Sequence, residues 1–300
     1  MQDKMMETNP ELKGLKRNKP IRKPYERKGF QSVIIFCVVF CTVFSFLPLL
    51  ITVINSMKTQ EQVSKDIFSL PQFSTLLTAI RDNFGSAWKE IGPYFFRTIA
   101  VAFVGAFFET LLSTVLAYIL CFKDFYFKNH IFILFIAVLL IPSIIGFPIL
   151  VPLIRDTLKL GDNYIGYLLP TVGGCQASGM FLFRTFFSQQ PKSLYECADA
   201  EGANDFHVFF KVTVPLALPI ILYFFVGAFS GIYNDYLWAS LILDNNLTMM
   251  TKMYSLVDSQ SLQYGAMYAL YIISAVPLIV TTVISMKYFK SGEFAAGLKL

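Results

Sequence analysis

The stretch Gln190-Pro-Lys-Ser-Leu-Tyr-Glu-Cys-Ala-Asp-Ala-Glu-Gly-Ala-Asn204 is a polar segment between two long apolar runs. Its charged side chains are costly to place in lipid, whereas the flanking runs are apolar enough to cross a membrane. The contrast predicts a chain in which membrane spans alternate with short polar loops.

Composition supports an integral membrane protein. The 300 residues are 55% hydrophobic and 15% charged, against about 25% charged residues in soluble domains. Because lipid offers the backbone no hydrogen-bond partners, we expect an all-α fold. The five cysteines have no metal or redox spacing. No nucleophile–base pairing and no phosphate-binding Gly-x-x-x-x-Gly-Lys-Ser/Thr loop appears, so we expect neither an enzyme nor a cofactor or metal site on this chain.

Six segments approach the roughly 20 apolar residues that a span requires. They are about 30–54, 98–122, 131–154, 164–187, 212–243 and 265–286. The predicted organisation is a polar tail at 1–29, a six-span domain at 30–290 with a polar loop at about 188–211, and a short tail at 291–300. The long loop after the first span includes residues 73–84, where we expect a separate short amphipathic helix over an outer cavity.

The distribution of basic residues orients the chain. Most of the 25 Lys and Arg residues lie in segments that alternation places on the same side as the N-terminus. By the positive-inside rule, both termini and the polar loop are cytoplasmic. The basic N-terminal tail adjoins a span, so we expect it to meet anionic lipid headgroups rather than nucleic acid.

The polar loop has the signals of two short helices. Pro191 ends the fourth span, and Ser193 with Glu196 has the spacing of a capping box, which predicts a helix from Leu194. Gly202 stops or bends that helix. A second segment then runs from Asn204 into the fifth span.

Polar side chains also occur within the spans. Asp235 lies in the predicted fifth span beside Tyr233, Asn234 and Trp238. Aromatic rings with amides and carboxylates suit sugar recognition, so this cluster is a candidate substrate passage. The alternative is helix–helix hydrogen bonding or a position near the outer face. Glu109 lies within the second span, in a neutral form bonded to another helix or in the bundle interior.

The loop sequence matches a known family. Glu196-Cys-Ala198, Gly202-Ala203 and Val212-Thr-Val-Pro215 resemble the EAA loop of binding-protein-dependent ABC importer permeases, with Cys197 in place of Ala. Other segments resemble the sugar-importer, MalG-like branch of this family. They are Ile141-Pro-Ser-Ile-Ile, Lys159-Leu-Gly161, Pro215-Leu-Ala-Leu-Pro219, Asn234-Asp-Tyr-Leu-Trp238 and Tyr288-Phe-Lys-Ser-Gly-Glu-Phe-Ala-Ala-Gly297.

The resemblance implies a permease subunit in a bacterial or archaeal cell membrane that takes up sugars or oligosaccharides delivered by an extracellular binding protein. A second homologous permease and a cytoplasmic ABC ATPase dimer, which binds ATP and Mg, would be its partners. The residues implied to couple the chain to the ATPase are Leu194, Glu196, Cys197, Ala198, Gly202 and Ala203. Glu196 would pair with a basic residue of the ATPase.

Bland alternatives remain open for these residues. Glu196 could serve only to cap its own helix, and Gly202 could be an ordinary helix stop. The alternative functions are an ABC importer permease for another small solute, such as glycerol phosphate or a polyamine, and an ion-driven secondary transporter that uses Asp235 and Glu109.

Overall fold

The structure, a computed structural model, describes residues 28–174 and 176–290. The predicted tails, apart from residues 28 and 29, and Cys175 lie outside these residues. Throughout the described part the chain is helical, with turns between the helices. The α-helices are α1 Lys28–Ser56, α2 Gln60–Lys65, α3 Leu76–Phe122, α4 Lys128–Leu139, α5 Phe147–Pro152, α6 Tyr164–Gly174, α7 Gln176–Phe187, α8 Lys192–Ala200, α9 Asp205–Val208, α10 Val214–Asn234, α11 Leu237–Ile242, α12 Met249–Asp258 and α13 Tyr264–Lys290.

The chain divides into two compact units, residues 1–52 and 53–300. Most of α1 belongs to the first unit, and its residues 31–50 are all exposed. Along this helix the rings of Phe36, Phe40 and Phe44 stack in succession, with neighbouring centroids 6.2 Å apart. An exposed and predominantly apolar helix of this length is typical of a membrane span.

Helix α3 is the central element of the second unit, where it packs against α7, α10 and α13. It has 47 residues and continues through Pro93. Buried side chains recur along it every three or four residues. They include Ala79, Asn83, Ala87, Ile91, Phe95, Thr98, Ala102, Ala106, Glu109, Ser113, Ala117 and Leu120.

The expectation of a separate amphipathic helix at residues 73–84 is therefore wrong. Residues 76–97 form the first half of α3, because the buried stripe of that segment joins the stripe of the predicted second span without a change of register. Pro93 interrupts the hydrogen-bond ladder locally but leaves this stripe intact.

Among the described residues, four helices are long and apolar enough to cross a membrane: Gln31–Ser56, Leu76–Phe122, Asp205–Asn234 and Tyr264–Met286. A fifth candidate is the bent pair Lys128–Leu139 with Ser143–Thr157. These correspond to the predicted first, second, fifth, sixth and third spans. The fourth span corresponds to α6 and α7 on either side of residue 175, so the count of six stays a prediction.

Two spans differ from their predicted form. The third bends by 95° between Leu139 and Ser143, where Pro142 removes a backbone donor and restrains the residue before it. The fifth ends at Asn234 instead of continuing to Leu243, and α11 is a separate short helix.

Two hydrophobic clusters make up the core of the second unit. One is built around Ile91, Tyr167 and Tyr233, and the other around Tyr118, Phe187 and Tyr195. Polar groups lie between α3 and α7 as well. Glu109 is buried at 3% exposure, and the Ser113 hydroxyl lies 3.1 Å from the Gln176 amide oxygen.

The contact of α3 with α7 depends on a glycine, which gives a first prediction. A Cβ atom on Gly179 would lie 2.5 Å from Ser113 Cβ and 2.6 Å from the Phe224 ring. We expect Gly179→Ala to lower the free energy of unfolding by about 1–3 kcal/mol, as overpacking does elsewhere. Thermal unfolding of the purified protein in detergent measures the change.

Gly227→Ala in α10 is the matched control, because a Cβ atom there meets nothing within 4 Å. Equal melting temperatures for the two variants would contradict the close packing of α7 on α3.

Candidate functional site

The polar loop contains one short helix, α8, which is followed at Gly202 by the predicted break. The second predicted helix, α9, is the beginning of the long helix Asp205–Asn234 and not a separate short helix. Helix α8 ends at Ala200, and Gly202 has φ of 76°, in the left-handed region. A Cβ atom on Gly202 would meet nothing within 4 Å, so a lack of space does not explain the glycine. The left-handed backbone conformation of residue 202 is what favours glycine there. The amide of Ala203 closes the turn by donating to the Ala198 carbonyl over 3.0 Å. Asn204 then caps α9 by accepting from the His207 amide over 2.8 Å.

The start of α8 differs from the prediction. The helix begins at Lys192, two residues before Leu194, and the amide of Leu194 donates to the Pro191 carbonyl. Because proline has no amide hydrogen to satisfy, the helix can begin directly after Pro191. Ser193 therefore lies in the first turn and not at the N-cap, so the predicted capping box with Glu196 is wrong.

The six residues implied to couple the chain to an ATPase share one region of the loop. Leu194, Glu196, Cys197 and Gly202 are exposed. The other two, Ala198 and Ala203, are partly buried and pack against the Tyr118–Tyr195 cluster. The region thus presents a carboxylate and an apolar side chain outward, while its two alanines face the protein.

Residues next to this region extend its apolar character. Phe206 is 72% exposed and Phe210 is 44% exposed. Their ring centroids lie 4.6 Å apart. A pair of exposed aromatic side chains, here next to Asp205 in the chain, is typical of surfaces that bind another protein.

Sequence reasoning missed Tyr195, the side chain that attaches α8 to the rest of the protein. Tyr195 is 8% exposed, and its ring stacks on Phe122 with centroids 4.1 Å apart. Its hydroxyl donates to the Gln190 side chain. Burial raises the pKa of the phenol to about 12, and a hydrogen bond with Thr213 acts in the opposite direction. The i,i+3 spacing of Tyr195 and Ala198 was the available signal, but Leu194 and Ala198, at i,i+4, share a helix face equally well.

The second predicted cluster, near Asp235, is only partly accessible. Tyr233 and Trp238 are buried. The Tyr233 hydroxyl donates to the Ser274 carbonyl over 2.9 Å, and Trp238 Nε1 donates to the Tyr167 carbonyl over 3.0 Å. These two side chains hold helices together, which is the role that the alternative interpretation assigns to them.

The remaining two residues of that cluster lie at the break between α10 and α11. Asp235 is half-buried, and its carboxylate accepts from the Trp238 amide over 3.1 Å. Asn234 is exposed, and its side chain donates to the Ser230 carbonyl. An open depression of about 560 Å³ elsewhere is lined by residues 63–68 with Tyr264 and Tyr268, and none of the four cluster residues borders it.

A polar clamp joins two loops that the predicted topology places outside the cell. The Asp162 carboxylate accepts from three consecutive backbone amides, those of residues 244–246, over 2.9–3.0 Å. Its backbone carbonyl accepts from the Asn246 side chain. Arg155 adds an ion pair with Asp244. These hydrogen bonds lower the pKa of the Asp162 carboxyl from 3.8 to about 2, and the backbone amide of Asn246 has the largest effect.

Within residues 28–174 and 176–290, no three His, Cys, Asp or Glu side chains converge in a manner that could hold a metal ion.

The comparison with protein families identifies the class. Residues 110–292 match the model described as "Binding-protein-dependent transport system inner membrane component". The chain belongs to this family, as its EAA-type loop indicated, and it is a membrane transport component rather than an enzyme.

Two curated relatives are permeases for oligosaccharides. The chain is 26% identical over 260 residues to the diacetylchitobiose uptake system permease protein NgcG of Streptomyces coelicolor, covering 84% of this chain and 83% of NgcG. It is 26% identical over 268 residues to the arabinooligosaccharides transport system permease protein AraQ of Halalkalibacterium halodurans, covering 87% of this chain and 93% of AraQ.

A solved structure has the same fold. It is a bacterial ABC transporter involved in the import of the acidic polysaccharide alginate. One of its chains aligns with a TM-score of 0.70 at 21% identity, covering 89% of this chain and all of that one.

The Asp162 clamp gives a second prediction. Because the carboxyl pKa is lowered on folding, its stabilising effect is complete above pH 3.8 and is lost as the pH falls toward 2. We expect wild type to melt at a higher temperature than Asp162→Asn above pH 4, and the difference to shrink between pH 4 and 2. Thermal unfolding over this pH range measures it, and a difference independent of pH would contradict the clamp.

Proposed function

We propose that this chain is the sugar- or oligosaccharide-specific permease subunit of an ABC importer, with six spans and cytoplasmic termini. Its family membership and the oligosaccharide permeases among its relatives support this proposal. A second homologous permease, an ABC ATPase dimer that holds ATP and Mg, and an extracellular sugar-binding protein are the partners. The chain itself holds no cofactor.

The observation that carries the coupling role is the exposed loop helix α8 with its left-handed glycine. Glu196 and Cys197 point away from the protein, while Ala198 and Ala203 pack inward. An ATPase that binds this surface can contact Glu196 and Leu194 without unfolding the loop. Rocking of the attached spans about the bundle would then alternate access to the two sides.

For the substrate passage, we propose that Asn234 and Asp235 provide the polar contacts, since both are at least partly accessible. Tyr233 and Trp238 would shape the passage from behind, because both are buried and hydrogen-bonded to neighbouring helices. The break between α10 and α11 supports this assignment, since it brings irregular backbone and polar side chains together.

The coupling role predicts a loss of transport in loop variants. We expect Glu196→Ala and Gly202→Pro to reduce ATP-dependent uptake at least about tenfold. The first variant removes the carboxylate of a charged contact with the ATPase. In the second, proline cannot adopt the φ of 76° that residue 202 has. Uptake of a panel of labelled oligosaccharides is measured in proteoliposomes with the complete transporter.

Glu201→Ala and Gly202→Asn are the matched controls. Glu201 is a neighbouring exposed acid, and asparagine tolerates the left-handed conformation. Normal uptake by both Glu196→Ala and Gly202→Pro, or uptake without the ATPase, would refute the coupling role. Uptake of glycerol phosphate or polyamines in place of sugars would refute only the substrate assignment.

The passage assignment has its own test. We expect Asn234→Ala to raise KM for the transported oligosaccharide or to change the range of sugars accepted, since it removes an exposed amide. Asp235→Asn retains an oxygen that can cap α11, so its effect on transport reports the charge and not the fold. Unchanged transport and substrate range in both variants would remove these residues from the passage.

A further inference from the structure

The attachment of the polar loop to the end of α3 has a role that the EAA-type pattern does not include. We propose that Tyr195 is a positioning residue that transmits movement of α8 directly to α3, in addition to the covalent route through α7 and α10. The inference rests on the proposed coupling of this loop to an ATPase.

The first step in the argument is the stack itself. The rings of Tyr195 and Phe122 lie 4.1 Å apart at an angle of 29°. Phe122 is the last residue of α3 and also pairs with Tyr118 one turn earlier, at 5.3 Å. A displacement of α8 therefore acts on the terminal turn of α3 through close ring contact, which a packed interior transmits instead of absorbing.

The second step is the position of the Tyr195 hydroxyl. It donates to the Gln190 side chain, just before α8, and it lies near the Thr213 hydroxyl, just before α10. The phenol group thus lies against the chain on both sides of the loop while its ring contacts a third element. Such convergence fixes the orientation of α8 relative to all three.

The third step is a second attachment beyond Gly202. Asp205, at the start of α9, forms an ion pair with Lys123, the residue after α3. Farther along the loop, the ring centroid of Phe209 lies 5.2 Å from that of Tyr118. The loop is thus joined to the end of α3 on both sides of its glycine, so a change of angle at Gly202 would alter the two attachments together.

The consequence for transport follows from the contacts of α3. This helix packs against α7, α10 and α13, so moving its cytoplasmic end displaces the helices around it as a group. Without the Tyr195 ring, we expect movement of the ATPase to displace α8 as before but to displace the end of α3 only weakly.

Two native cysteines allow a direct test. Cys197 lies on α8, and Cys121 precedes Phe122 on α3. In complete transporters that retain either one as the sole cysteine, the rate of modification by N-ethylmaleimide is measured without nucleotide and with ATP and vanadate. We expect nucleotide to change both rates in wild type. In Tyr195→Ala, the nucleotide-induced change in the modification rate of Cys121 should be smaller by about threefold or more, which is the size of effect expected from the loss of one aromatic pair. The corresponding change at Cys197 should persist.

Three further variants sharpen the test. Tyr195→Phe keeps the ring and should retain most of the Cys121 response. Phe122→Leu removes the other half of the stack from outside the loop and should reproduce the loss even if Tyr195→Ala assembles poorly. Tyr126→Ala, at a tyrosine that is 91% exposed near the same helix end, is the control and should behave as wild type.

The outcomes separate this inference from the proposed function. An undiminished Cys121 response in both Tyr195→Ala and Phe122→Leu would overturn the positioning role of Tyr195. A wild-type complex in which Cys197 itself ignores nucleotide would instead overturn the coupling of the loop to an ATPase.

Discussion

The continuous buried stripe of α3 is the constraint on which the rest of the second unit depends. In lipid, burying apolar side chains between helices contributes little free energy, because the lipid tails are apolar as well. Helices therefore associate through close packing and polar contacts. Small residues along α3, among them Ala102, Gly105 and Ala106, allow this approach. Gly179 on α7 does the same from the opposite side, where Ser113 leaves no space for a Cβ atom. One helix can therefore serve as the packing partner for three others.

Much of the organisation was predictable from sequence, because composition and periodicity are properties of short segments. The first and last spans were placed within a few residues of α1 and α13. The break at Gly202 was also predicted, since glycine and Asn204 act through local backbone chemistry. The bend at Pro142 was not part of the predicted third span, although that residue marks its place.

The errors arose where tertiary contacts decide the outcome. Residues 73–84 were expected to form a separate helix, but the stripe of buried residues continues through Pro93 because α3 has packing partners along its whole length. Tyr195 was hidden because a single helix does not reveal which of its faces will meet Phe122. The partners of Asp162 lie more than 80 residues away in the chain, so no local pattern could have indicated the three amides that it binds.

The length of α3 has a mechanical consequence. At 1.5 Å per residue, its 47 residues extend for about 70 Å, more than twice the roughly 30 Å of hydrocarbon that a span must cross. A rod of that length magnifies rotation into translation: a tilt of about 5° about one end shifts the other by about 6 Å. A change of angle imposed where Phe122 ends the helix would therefore reach Leu76 as a sideways shift larger than the 4.1 Å between the Tyr195 and Phe122 rings.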